Sequence, residues 1–164
     1  MNFDRITSDD LSTLRIDNKK ISQYSVKCID NDKIIAYIIL QDIPISDGLF
    51  IPKHPRSNRH IWKELKEYPS YKLYKVNIKN LDEKTLDIFF DYMVRLLPQD
   101  ACIWVDISNK DMRESVDKIG YFHKIVVKQK PNLRFFDAFI YLCWQKKHIK
   151  NNESFYPFKS FLCQ

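Results

Sequence analysis

The seven residues from 34 to 40 read IIAYIIL and include no charged side chain. A strand with one solvated face alternates apolar and polar residues, whereas a strand covered on both faces is apolar along its length. The run is also far shorter than the roughly 20 residues that cross a bilayer. It therefore predicts a central strand in a sheet that is packed on both of its faces.

The flanking sequence predicts the partners of this strand. The segment YSVKCI at 24–29 precedes KIIAYIILQ at 33–41 across the polar residues 30–32, which is typical of a hairpin. Further on, apolar residues recur at helical spacing up to Pro98, with Asn80 or Asp82 as the helix cap. The apolar positions of that helix are Leu86, Phe89, Phe90, Met93, Val94 and Leu97. A further helix is opened by SNKDM, carries Met112, Val116 and Ile119, and is closed by Gly120. The remaining predicted elements are a short capped helix near Ser8, a strand GLFI at 48–51, a helix within 60–68, strands at 71–78 and 101–107, and a hairpin of 122–129 with 134–144.

These elements predict an α/β fold with a mixed, mostly antiparallel sheet flanked by helices. A chain of 164 residues, 45% of them hydrophobic, predicts a single domain over 1–164. The charged start MNFDRITSDD lacks the apolar segment of a secretory signal, and no apolar run is long enough to span a membrane, so a cytoplasmic location is expected. The cysteines at 28, 102, 143 and 163 show no CxxC spacing, which favours free structural thiols over disulfides or zinc.

The formal charge of +6 is unevenly distributed. Residues 53–75 carry seven Lys and Arg against two Asp and Glu, and the insertion at about 53–70 interleaves basic and aromatic residues. Such a block suits an acidic protein or a nucleic acid, with Arg56, Arg59 and Lys63 as candidate contacts. A solvated basic face is the alternative, because no nucleic-acid motif accompanies the block. The aromatic tail at about 145–164 is expected to dock on the body of the protein or on a partner.

The order of elements from about Lys33 to Trp144 resembles that of the GNAT superfamily of acetyltransferases. The most specific match is IWVDISNKDMRESVDKIGYFHKIVV, in which Asn109 opens a helix and Gly120-Tyr121 end it. Asn at a helix start and Gly at a helix end also have local explanations, as cap and terminator. The resemblance implies an acyl-CoA-dependent N-acyltransferase that acts on an amine acceptor, with acetyl-CoA or another acyl-CoA as cofactor.

In the superfamily, the fourth and fifth strands splay apart and acyl-CoA lies between them, with its pyrophosphate at the helix that follows the fourth strand. The resemblance carries the splay onto Val76, Asn77 and Ile78, and the phosphate loop onto Lys79 to Lys84. Here the loop reads KNLDEKT, without the glycines that let a backbone approach phosphate. Asp82 and Glu83 add negative charge where a helix N-terminus would otherwise attract an anion.

The resemblance also implies a catalytic acid and a catalytic base, but this chain matches the usual positions only in part. Many family members place a tyrosine four residues before the glycine to protonate the leaving thiolate, and this chain has Val116 there. Tyr121, Tyr74 and Tyr141 are the remaining candidates, although tyrosines at such positions commonly pack. For a general base, Asp106 late in an apolar strand is preferred over Asp42 and Asp47; a carboxylate that accepts backbone hydrogen bonds there is the alternative.

Three functions are consistent with these residues. The first is the N-acyltransferase, and the second is a catalytically inactive acetyltransferase-like module that binds a partner through its basic block. The third is an acyltransferase-like enzyme that modifies nucleic acid. The histidines at 54, 60, 123 and 148 lack the spacing of a metal site, so no metal is expected.

Overall fold

Seven strands form one sheet in the order β1-β2-β3-β4-β5-β7-β6 in the computed structural model, which describes residues 1–44, 69–106, 110–120, 123–127 and 138–144. β4 and β5 pair in parallel, and the other neighbours pair antiparallel. This is the mixed α/β fold that the sequence predicts. The strands are β1 (Asn2–Arg5), β2 (Val26–Asp30), β3 (Lys33–Gln41), β4 (Ser70–Asn77), β5 (Cys102–Asp106), β6 (His123–Val127) and β7 (Ala138–Trp144), and the described helices are α1 (Ser8–Thr13), α2 (Glu83–Leu96) and α3 (Lys110–Ile119).

The apolar run 34–40 lies in β3, between β2 and β4, and the prediction of a central strand is confirmed. Ile38 and Leu40 belong to the main core and are fully buried. Ile39 points to the opposite face because side chains alternate along a strand, and it too is fully buried. Both faces of this strand are therefore covered.

The main core lies between the sheet and two helices, α2 and α3. Phe89 and Phe90 of α2 are fully buried there, and Val116 and Ile119 bring α3 onto the same cluster. The apolar face predicted for α2 is the face that packs. Other members of the cluster are Val26, Cys28, Ala36, Leu73, Ile78, Leu81, Leu86, Met93, Val94, Leu97, Ala101, Ile103 and Val105.

The ends of α2 follow local rules that the sequence shows. Asp82 is the N-cap, and its carboxylate accepts a hydrogen bond from the Thr85 N–H at 2.7 Å. Leu97 leaves the helix with an extended backbone, φ −66° and ψ 149°. The residue before a proline is disfavoured in the helical region, so Pro98 accounts for this end.

The N-terminal strand β1 is an element that the sequence analysis missed. It has four residues, and only Phe3 is half-buried. The Phe3 ring lies 5.2 Å from the ring of Phe89 and 5.7 Å from that of Tyr92, so β1 is held at the sheet edge by aromatic contacts with α2. A strand this short and exposed carries no alternating pattern that could reveal it.

The predicted hairpin of β2 and β3 closes through a two-residue turn. Asn31 and Asp32 have φ values of 48° and 60°. Positive φ at both turn residues matches the right-handed twist of the strands, and Asn and Asp tolerate it better than most residues. The prediction of the hairpin is confirmed, with β2 extending to Asp30.

An ion pair fixes α1 to the sheet face opposite the main core. Lys27 alternates with the core residues Val26 and Cys28, so its side chain lies on the other face, where it meets the Asp10 carboxylate. Asp10 also accepts the Thr7 N–H at 2.7 Å, which completes a capping box. The cap of the predicted helix near Ser8 is therefore Thr7, one residue earlier than expected.

Some sequence predictions fall outside the described residues, namely the strand at 48–51, the helix within 60–68, residues 53–68 of the basic block and the aromatic tail beyond Trp144. In the described part of the chain, no helix combines the length and the low polarity that crossing a bilayer takes. Cys28 and Cys102 are buried free thiols, as predicted. Burial raises the pKa of both, which keeps them protonated and unreactive at neutral pH.

The first prediction concerns Ser25, whose side chain forms hydrogen bonds with the backbone N–H and C=O of Leu40 in β3. Its side-chain oxygen accepts the Leu40 N–H at 3.0 Å and donates to the Leu40 carbonyl at 3.2 Å, and Ser25 is 1% exposed. Ser25→Ala leaves the buried N–H without an acceptor, so we expect the free energy of unfolding to fall by about 1–3 kcal/mol. Urea unfolding followed by circular dichroism measures it.

Ser12→Ala is the matched control for Ser25→Ala. The Ser12 hydroxyl donates to the Ser8 carbonyl at 3.3 Å on the exposed side of α1, where water can replace it. We expect its unfolding midpoint to stay close to that of the original protein. Equal midpoints for the two variants would contradict the role given to Ser25.

The second prediction concerns the Asp10–Lys27 pair, whose side chains are only 14% and 10% exposed. Burial opposes ionisation of Asp10, but the hydrogen bonds from Lys27 and Thr7 outweigh it and lower its pKa below 3.8. The pair therefore stabilises the fold fully above about pH 4, and this contribution is lost as pH falls through the lowered pKa. Asp10→Asn should cost about 3 kcal/mol at pH 7, because it leaves the Lys27 ammonium unpaired.

The control for Asp10→Asn is the double variant Asp10→Asn with Lys27→Met. Removing both charges leaves no unpaired ion, so we expect most of the lost stability to return. Unfolding free energies at pH 7 and pH 3 measure both effects. A double variant no more stable than Asp10→Asn alone, or an Asp10→Asn variant with the original acid sensitivity, would be inconsistent with this role.

Candidate functional site between β4 and β5

The two parallel strands pair over only three residues. Ser70, Tyr71 and Lys72 face Cys102, Ile103 and Trp104, and the pairing then stops. β4 nevertheless continues to Asn77, and β5 to Asp106. Beyond Lys72 and Trp104 the two strands are therefore not paired, and we call this unpaired region between their carboxyl ends the β4–β5 opening.

A β-bulge lies on β4 where the pairing with β5 ends. Leu73 pairs with Leu40 and Lys75 pairs with Ile39, so Tyr74 is an extra residue with no partner in β3. A bulge bends its strand and increases the local twist. The bulge therefore lies at the point on β4 where its pairing with β5 ends.

The three residues predicted for the splay have different environments. Val76 is half-buried and packs against the core, Asn77 pairs with Tyr37, and Ile78 is 2% exposed. Ile78 begins a turn in which the Leu81 N–H donates to its carbonyl at 3.2 Å. Because Ile78 and Leu81 are both buried, the loop after β4 is anchored to the core at two points.

The N-terminus of α2, where the resemblance places pyrophosphate, already holds a carboxylate. The hydrogen bond from the Thr85 N–H is the main cause that lowers the pKa of Asp82. Asp82 is therefore ionised at neutral pH and lies against the positive end of the helix dipole. Lys79 is exposed in the turn that precedes α2.

A cleft of about 940 Å³ lies between the start of α2 and the end of α3. Four of its lining residues are acidic and two are lysines, so its formal charge is negative. The lining comprises Asp82, Glu83, Lys84, Thr85, Leu86, Asp87, Asp117, Lys118, Ile119 and Gly120. The cleft brings the predicted residue Lys84 together with a part of α3 that the sequence analysis did not single out for binding.

Lys118 is the residue in this cleft that the sequence analysis missed. Its ammonium donates to the carbonyls of Ile78 at 3.1 Å and Leu81 at 3.3 Å, so it joins the end of α3 to the loop after β4. A lysine in the last turn of a helix is a common sequence feature because it complements the helix dipole. Its partners lie 40 and 37 residues away, and no local pattern indicates them.

The position at which many GNAT members carry a tyrosine is a core position here. Val116 is 1% exposed and belongs to the main cluster, and Gly120 ends α3 with φ 77°, as predicted. Tyr74 is half-buried at the bulge, with the Lys75 ammonium 5.5 Å from its ring centroid. Tyr121 lies outside the described residues.

A different tyrosine, Tyr71, lies at the paired end of β4. It meets Tyr24 edge-on at 5.2 Å, and burial, Tyr24 and Asp42 raise its pKa to about 12. Tyr71 therefore stays protonated at neutral pH and packs where β4 and β5 are closed, away from the opening.

The candidate base Asp106 is the last residue of β5, where its backbone pairs with Ile140 of β7. Asp42, the alternative, is exposed just after β3, at the far end from the opening. Asn109, Asp47 and the candidate partner contacts Arg56, Arg59 and Lys63 lie outside the described residues. No group of three His, Cys, Asp or Glu side chains in the described part of the chain is arranged to hold a metal ion.

Comparison with protein-family models finds no match to this chain, and comparison with curated proteins finds none either. The resemblance to the GNAT superfamily therefore remains a prediction from the residues. The geometry of the β4–β5 opening and of the cleft beside it is the basis for the functional proposal.

Proposed function

We propose that this chain is an acyl-CoA-dependent N-acyltransferase that binds its donor in the opening between β4 and β5. One observation carries the proposal: the parallel pairing of β4 and β5 ends after three residues, at a bulge, while both strands continue. This is the feature that acyl-CoA occupies in the superfamily that the chain resembles. The seven-stranded order, with one parallel pair, is consistent with that resemblance.

The β4–β5 opening can bind an extended donor arm through backbone hydrogen bonds. Beyond Lys72, the edge of β4 that faces β5 has no described strand partner, so its backbone N–H and C=O groups need other hydrogen bonds. The pantetheine arm of CoA is a linear chain with two amides. It can therefore pair with this edge as an added strand would.

The reaction would join an acceptor amine to the acyl carbon of the thioester. The nitrogen–carbon bond forms, the carbon–sulfur bond breaks, the amine loses one proton and the CoA thiolate gains one. Holding the two reactants together accounts for much of the rate in such a transfer. Asp106 as base and Tyr121 as acid remain the predicted proton carriers, since Val116 fills the usual tyrosine position.

A second candidate, an inactive scaffold that binds a partner, is favoured by the charge at α2. Asp82 fills the anion position at the helix N-terminus, and Glu83, Asp87 and Asp117 add to the negative charge of the cleft. This arrangement repels phosphate, although Lys84 and Lys118 offset part of it. Nothing in the described residues favours the third function, modification of nucleic acid.

The third prediction tests donor binding. We expect titration calorimetry with acetyl-CoA and longer acyl-CoAs to detect binding at high-micromolar ligand. Asp82→Asn should tighten binding by about fivefold, because it removes one charge near the pyrophosphate while Asn serves equally well as N-cap. If neither the original protein nor the Asp82→Asn variant gives a heat of binding with any acyl-CoA, the proposal is wrong.

Asp9→Asn is the control for Asp82→Asn. It removes the same charge from α1, which follows the edge strand β1 and is remote from the β4–β5 opening. We expect its affinity for acetyl-CoA to equal that of the original protein. Tightening by both variants would show that net charge, rather than the helix N-terminus, controls donor binding.

The fourth prediction tests the binding module. If the basic block captures an acidic partner, Arg56→Glu, Arg59→Glu and Lys63→Glu together should abolish its retention on an acidic polymer such as polyglutamate or DNA. Retention is measured on a column at increasing salt. Unchanged retention would reject the module, and a salt dependence steeper for DNA than for polyglutamate would favour the nucleic-acid function.

A further inference from the structure

The bulge on β4 places two lysines on the same face of the sheet. Residues that lie opposite each other in an antiparallel pair point to the same face. Lys72 lies opposite Gln41 of β3. Lys75 lies opposite Ile39, which is two residues earlier in β3 and therefore on the same face as Gln41. In a regular strand, positions 72 and 75 would point to opposite faces, and the extra residue Tyr74 removes that difference.

The two lysines point away from the main core. Leu40 and Leu73 form the pair between them, and both are buried in the main core on the other face. On that core face, α3 contacts β4, and Ile78 and Val105 at the two sides of the β4–β5 opening are each 2% exposed. The lysine face differs, because Lys75 is exposed just beyond the bulge. An acceptor for a donor in the opening therefore approaches from the face of the two lysines.

Neither lysine has its charge neutralised within the described part of the chain. The Lys72 ammonium lies 5.4 Å from the ring centroid of Trp104, its partner on β5. The Lys75 ammonium lies 5.5 Å from the ring centroid of Tyr74. An aromatic ring attracts an ammonium without neutralising its charge. The ion pairs among the described residues involve other groups, so two positive charges remain on this face at the edge of the opening.

A nearby carboxylate on this face does not compensate them. Asp10, which α1 brings to the same face, is already paired with Lys27. Two ammoniums on one face match the oxygens of a carboxylate or a phosphate, which form charge-assisted hydrogen bonds with lysine. They also raise the local concentration of anionic molecules. The charge at the opening therefore favours an acceptor that is itself acidic.

We propose that Lys72 and Lys75 bind an anionic group, a carboxylate or a phosphate, on the acceptor, so that the substrate class of the transfer is an acidic amine. The inference rests on the proposed function, which places the thioester of the donor in the β4–β5 opening. The acceptor then has its anionic group at the lysines and its amine at the thioester. Asp106, the predicted base, ends β5 two residues after Trp104. The two lysines determine specificity and do not contact the reacting atoms.

The experiment measures transfer from acetyl-CoA to matched amines through the release of the CoA thiol. It compares γ-aminobutyrate with butylamine, and O-phosphoethanolamine with ethanolamine, so each pair differs by one anionic group. We expect the original protein to use the anionic member of at least one pair with a kcat/KM about tenfold higher, mainly through a lower KM. The two pairs distinguish a carboxylate from a phosphate.

Two variants remove the lysine charges. Lys75→Gln changes an exposed position, and the double variant Lys72→Met with Lys75→Gln removes both charges while Met still covers the ring of Trp104. We expect the ratio of kcat/KM between the anionic and the neutral amine to fall to about one in the double variant. Arg5→Gln with Lys33→Gln is the control, because it removes two charges at exposed positions outside the opening and should keep the ratio. Circular dichroism and calorimetry with acetyl-CoA check that each variant is folded and binds donor.

The outcomes separate the two claims. An original protein that binds no acyl-CoA overturns the proposed function and this inference with it. If the original protein binds acetyl-CoA but transfers to neither anionic amine, or uses both members of each pair equally, only the inference is overturned. A preference that persists in the double variant overturns it as well, and so does its loss in the control variant, because net charge would then set the preference. If the double variant does not fold, Lys75→Gln alone should lower the ratio by about threefold, and an unchanged ratio overturns the inference.

Discussion

The parallel pairing of β4 and β5 determines both the core and the candidate site. Parallel neighbours cannot be joined by a tight turn, so the chain must cross one face of the sheet between them. That crossover contains α2, whose Phe89 and Phe90 form the centre of the main core. The same constraint brings the carboxyl ends of β4 and β5 to one edge, next to the start of α2. Core and opening are therefore consequences of one topological feature.

The parts of the fold that were predictable are those in which local sequence and burial agree. β3 is apolar throughout because both of its faces are buried, and α2 combines a cap, an apolar face and a following proline. β1 could not be predicted, because its position depends on the contact of Phe3 with Phe89, 86 residues away. Pairing with β2 then satisfies the hydrogen-bonding groups of its backbone. Four residues are too few for an alternating pattern to indicate such a strand.

For the candidate site, the sequence offers a location through the resemblance, and the structure adds the residues that surround it. The resemblance points to the β4–β5 region and the loop after β4, and of the two caps that the sequence offers, Asn80 and Asp82, the structure has Asp82. The role of Lys118 could not be predicted, because a lysine in the last turn of a helix is already explained by the helix dipole. The carbonyls of Ile78 and Leu81 become its neighbours only when α3 packs against the core. Charge patterns along a chain do not reveal such partners, since they depend on tertiary structure.

Helix capping and phosphate binding make opposite demands on the N-terminus of α2. Capping favours a carboxylate there, whereas a phosphate needs the same N–H groups and the same end of the dipole. With Asp82 in that position and four acids against two lysines around the cleft, this helix N-terminus has its own negative charge and does not attract phosphate. Under the proposed function, an acyl-CoA donor would therefore have to be held mainly through its pantetheine arm, along the edge of β4 that has no described strand partner beyond Lys72. The acyl group and the arm, rather than the nucleotide, would then determine which donors bind.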